Sequence, residues 1–118
     1  RFLHGEIKEN DVVMESGWEE NYFLISLKNQ TIPHFVPTAD NGDPRLYLYI
    51  KFFNKVGDEV YNAKEIIAPQ QETALPYNKK IKYRYRLFEK ILRAEVELKY
   101  QPAWSKEKTI VRTETVRR

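Results

Sequence analysis

The stretch "KIKYRYRL" (80–87) decides the fold. Basic and apolar residues alternate through it without a break. Lys80, Lys82, Arg84 and Arg86 fall on one side, and Ile81, Tyr83, Tyr85 and Leu87 on the other. Successive side chains of an extended strand point to opposite faces, so this pattern predicts a β-strand with one buried and one wet face. "LRAEVELKY" (92–100) repeats the pattern, with Leu92, Ala94, Val96, Leu98 and Tyr100 inward and Arg93, Glu95, Glu97 and Lys99 outward. A hairpin through "FEKI" (88–91) is expected to join the two, although that turn contains no Gly.

Working outward, "NYFLISLK" (21–28) and "LYLYIKFF" (46–53) are apolar on both faces, as central strands are. "NKVGD" (54–58) is a turn, because Asn and Gly supply the left-handed positions. "EVYNAKEII" (59–67) provides one or two short strands, "APQQETALPYN" (68–78) a loop with two prolines, and "KTIVRTETV" (108–116) a last strand. Residues 5–15 fit either a short strand or a helical turn. There is no long helical stripe, internal repeat or low-complexity tract. About seven short strands with turn signals roughly every ten residues predict an all-β fold, an immunoglobulin-like antiparallel β-sandwich. An OB-type barrel is the alternative architecture.

The totals agree with one globular domain. The chain has 118 residues, 42% hydrophobic and 31% charged, with eight Tyr and six Phe. It has no Cys, which removes disulfides, thiolate metal sites and thiol nucleophiles. No apolar run approaches the roughly 20 residues of a membrane span, and "RFLHGEIKEND" (1–11) lacks the apolar region of a signal peptide. Arg1 in the first position fits a processed or trimmed piece. The net charge is +3, unevenly spread. Residues 1–78 carry 7 Lys and Arg against 12 Asp and Glu, and residues 79–118 carry 13 against 5. The C-terminal strands are therefore expected to show a basic face, either for an anionic partner or as protection of a sheet edge.

Catalytic constellations are missing from this pattern. There are two His, no Cys and no Gly-rich phosphate loop. "DNGD" (40–43) lacks the length and closing Glu of an EF-hand and reads as an Asx turn. The chain is read as a non-enzyme. The basic, aromatic strand does not read as a nucleic-acid binder, since Tyr83 and Tyr85 face away from Arg84 and Arg86. "NQT" (29–31) matches a glycosylation acceptor, a short and common pattern.

The candidate site lies in "TIPHFVPTADNGDPR" (31–45), which holds three of the six prolines. Pro33 and Pro37 bracket His34 and fix φ on both sides, so the loop loses little entropy on ordering. His34 either pins the loop by a hydrogen bond to a carbonyl or stands ready as an axial metal ligand. His4, beside Gly5, is a second candidate, and otherwise an ordinary histidine near the N-terminus.

"RFLHG" (1–5), "PHFVPTADNGDPR" (33–45), "LYLYIKFFNKVGDEV" (46–60), "ETALPYNKKIKYRYRLF" (72–88) and "AEVELKYQPAW" (94–104) together resemble one family, over nearly the whole chain. It is the immunoglobulin-like β-sandwich domain that closes many multihaem c-type cytochromes, with its Gly-His-x-x-Pro-Thr-Gly loop continued by Asp-Pro-Arg. Pro33 and Ala39 stand where that loop has glycine, His4 stands where the family has glycine, and a haem-attachment motif is absent. The resemblance implies a non-catalytic electron-transfer accessory domain that packs against haem c held by a partner chain or a removed N-terminal region. It implies His34 as a distal axial ligand to haem iron, within a binding loop that includes Pro33, Phe35, Pro37, Thr38, Asp43 and Arg45. It also implies residues 1–17 as a segment joining to the haem-bearing part and 18–118 as the sandwich, in the periplasm or outside the cell. A free-standing binding or adhesion module and an OB-like nucleic-acid binder are the competing functions. Exposed sheet edges would further permit self-assembly.

Overall fold

The computed structural model describes residues 12–29, 45–67, 80–87, 90–101 and 107–118. They form seven strands: β1 Val12–Glu19, β2 Tyr22–Asn29, β3 Arg45–Asn54, β4 Glu59–Ile67, β5 Lys80–Arg86, β6 Ile91–Gln101 and β7 Thr109–Arg117. They make two antiparallel sheets, ordered β1-β2-β5 and β4-β3-β6-β7. The expected sandwich is therefore present, and no ladder between described strands closes it into the alternative barrel.

The alternation sorts residues as the sequence predicts. Phe23, Ile25 and Leu27 of β2 meet Leu46, Leu48, Ile50 and Phe52 of β3 and Ala94, Val96 and Leu98 of β6, all with 1% exposure or less. Val12, Met14, Ile67 and Tyr100 complete the core at one end of the sandwich. The other end is aromatic. Phe52 packs edge-on to Phe23, with centroids 5.5 Å apart, and also meets Trp18, Tyr61 and Tyr85. Both strands expected to be central are central, β2 between β1 and β5 and β3 between β4 and β6.

Three expectations change. The 80–87 and 92–100 strands do not form a hairpin. β5 pairs with β2, from Tyr22↔Arg86 to Lys28↔Lys80, while β6 lies between β3 and β7 in the other sheet. A tight hairpin needs turn residues that tolerate positive φ. Instead, the Leu87 amide donates to the Asn21 carbonyl, which holds the end of β5 on the first sheet.

Second, Leu92 is 42% exposed, and Ile91 is buried in its place. Phe53 pairs with Arg93 but Asn54 pairs with Ile91, so Leu92 is an extra residue in the ladder. One extra residue reverses which face the residues before it point to.

Third, residues 12–17 lie in β1, which pairs with β2 along its whole length, so the sandwich begins before residue 18. "NKVGD" forms the expected turn with Gly57 at φ 89°, but Asn54 supplies no left-handed backbone; its side chain instead accepts from the Val56 and Asp58 amides. The four cations of β5 are exposed along a sheet edge.

Candidate functional site

The register shows that four long segments leave from one end of the sandwich. Val12 pairs with Asn29, Lys28 with Lys80, Arg45 with Gln101, Leu46 with Ile67, and Tyr100 with Thr109. The start of β1, the end of β2, the starts of β3, β5 and β7, and the ends of β4 and β6 thus share that end. Residues 1–11, 30–44, 68–79 and 102–106 all attach there. The opposite end carries the short β1–β2 and β3–β4 turns. Segment 30–44 also runs from one sheet to the other, because β2 and β3 belong to different sheets.

His4, Pro33, His34, Phe35, Pro37, Thr38 and Asp43 lie outside the described residues. Arg45 lies within them, half-buried at the first position of β3. Among the described residues, no group of three or more His, Cys, Asp and Glu could hold a metal. Met14, the chain's single methionine, is 2% exposed and packed in the core, so its thioether cannot reach an outside haem. The two histidines are both on segments attached to the same end of the sandwich.

Beside that end lies a cluster that the sequence reading missed. Alternation turns Tyr47 and Tyr49 to the outer face of β3, where their rings stack with centroids 5.9 Å apart. Three lysines from three other parts of the chain converge on them. Lys64 of β4 sits 5.2 Å from the Tyr47 ring and 5.8 Å from the Tyr49 ring. Lys99 of β6 sits 5.5 Å from Tyr49. Lys108, just before β7, sits 4.2 Å from the Tyr47 ring and donates to the Tyr49 hydroxyl at 2.8 Å. The Tyr47 hydroxyl is 2.9 Å from Gln101 Oε1. That hydrogen bond from Lys108 to Tyr49 raises the lysine pKa, since it favours the charged ammonium. The tyrosines were visible as alternating residues, but the lysines lie 15 to 61 positions away from them and carry no local signal.

Other polar contacts tie strands together. Tyr85 faces inward and its hydroxyl donates to Glu65 Oε2 at 2.6 Å, joining β5 to β4 across the sheets. Burial, followed by the Glu65 hydrogen bond and charge, pushes the Tyr85 pKa well up. Burial and then Glu65 raise Tyr83 too. At the other flank Ser16 donates to Glu114 Oε2 at 2.7 Å. Tyr83 and Tyr85 do face away from Arg84 and Arg86. Arg84 stacks instead on Tyr22 of β2, 3.9 Å from its ring.

No family model matches the sequence, and no curated protein matches it. Among solved structures, a penta-heme cytochrome c552 from Thermochromatium tepidum is similar, with a TM-score of 0.68 at 13% identity. The match covers 91% of this chain but 39% of the cytochrome chain. At that identity the likeness is one of fold.

Proposed function

We propose that this chain is a non-catalytic β-sandwich domain of a multihaem c-type cytochrome assembly. It packs against haems attached elsewhere, to a partner chain or to another part of a longer protein, in the periplasm or outside the cell. The observation that carries this reading is the fold likeness over 91% of the chain to part of a penta-heme cytochrome c552. The motif resemblance at residues 33–45 points the same way. The absence of Cys is consistent with haem c being attached elsewhere.

In this reading the sandwich is a rigid mount. Its loop-bearing end presents segment 30–44 to the haem, and His34 supplies a neutral imidazole as the distal axial ligand. Bis-histidine ligation leaves no open coordination position, which suits electron transfer rather than turnover. Pro33 and Pro37 restrict the loop, so little entropy is lost when the ligand is positioned.

The test is visible absorption of the protein purified with its native partners, with and without His34→Ala. The expected result is a low-spin spectrum in which one haem turns high-spin in the variant. An unchanged low-spin spectrum would remove the ligand role. Co-purification with no haem protein would instead favour the free-standing binding module. Salt-dependent capture of single-stranded oligonucleotide would favour the nucleic-acid reading.

A further inference from the structure

We propose that the outer face of β3, framed by Lys64, Lys99 and Lys108, is a docking surface for a carboxylate-rich segment of a partner polypeptide. This inference does not depend on the haem reading. It begins from charge. Three ammonium groups gather over two stacked tyrosine rings. The ring faces and the Tyr49 hydroxyl hold these cations together, and the result is a local concentration of positive charge. Glu97 approaches Lys99, but at 3.9 Å it is at the outer limit of an ion pair.

Each ammonium carries three N–H donors and no acceptor, and Lys108 gives one of them to the Tyr49 hydroxyl. The remaining donors suit carboxylate oxygens. Lys64 and Lys99 stand on strands either side of β3, so their backbones are two strand spacings apart, roughly 10 Å. Side chains of an extended acidic segment lying across β3 can reach the lysines on both sides of it. Ile110, 60% exposed and the pairing partner of Lys99, adds an apolar contact at the rim. Tyr47 is itself 6% exposed, so what this face offers a partner is the lysines and the half-buried Tyr49 beside them.

The experiment titrates the full chain at low salt with a synthetic peptide of alternating Glu and Gly. A Gln and Gly peptide and inorganic phosphate serve as comparators. The acidic peptide is expected to bind, and more weakly as salt rises. Lys64→Gln with Lys108→Gln is expected to weaken binding on the order of tenfold. Tyr49→Phe, which keeps every charge but removes the hydroxyl holding Lys108, is expected to weaken it less, and it serves if the double variant fails to fold. Lys82→Gln with Arg84→Gln, on the opposite sheet, is expected to change nothing. Failure of the acidic peptide to bind would overturn the proposal. So would equal weakening by the two double variants, phosphate binding as tight as the peptide's, or no effect of Tyr49→Phe in a folded protein.

Discussion

At the scale of single residues, the inward-facing Tyr85 is the most exacting polar group. Its hydroxyl spans from β5 to Glu65 of β4, so one hydrogen bond to a charged acceptor ties the two sheets together. Tyr85→Phe keeps the ring against Phe52 and removes that bond, which leaves a part-buried carboxylate without its donor. The expected loss is about 1 to 2 kcal/mol, read from denaturant midpoints at neutral pH. The same tyrosines set an alkaline limit. Tyr83, Tyr85 and Tyr100 have raised pKa values, chiefly through burial. The folded state therefore keeps protons that the unfolded chain gives up above about pH 10. Their contribution is whole below that pH and is lost as pH climbs through the raised values. Melting temperature should fall more steeply above pH 10 in the wild type than in Tyr85→Phe, and equal slopes would contradict this account.

At the scale of elements, the two short turns make the same demand and meet it with different residues. β1 and β2 are joined by Glu20 and Asn21, and Glu20 sits at φ 53°. A two-residue hairpin with positive φ at its first central position favours Gly there. Glu20→Gly is expected to stabilise by up to ~1 kcal/mol, because a side chain in the left-handed region is strained. Gly57, at φ 89°, already meets the same demand in the β3–β4 turn. Gly57→Ala is expected to cost about 1 kcal/mol or more, although no atom blocks the added methyl. Thermal melts of the pair should move in opposite directions. The bulge at Leu92 belongs to this scale too, since one extra residue moved an apolar side chain from core to surface.

At the scale of the whole molecule, short turns sit at one end and four long segments attach at the other. The strands between them hold a core continuous from Val12 to Val111. Replacing residues 31–43 with a Gly-Ser linker of equal length should therefore leave the β-sheet circular dichroism signal intact. Under the proposed haem role, the same replacement in the native assembly should reproduce the His34→Ala haem spectrum. Loss of the sheet signal would mean that the loop is part of the fold rather than carried by it.

What the sequence determined by itself is local. Period-two alternation in residues 80–87 and 94–100 assigned each side chain to a face, because strand geometry is set by neighbouring peptide units. The "NKVGD" turn was legible for the same reason, and the proline-rich stretch containing His34 was legible as an inter-strand segment because strands flank it. Tertiary structure decided what depends on distant partners. It moved β5 away from β6 to pair with β2, because hydrogen bonds between strands carry no sequence label. It also brought Lys64, Lys99 and Lys108 onto Tyr47 and Tyr49, since charges on three separate segments become neighbours only when the sheet forms.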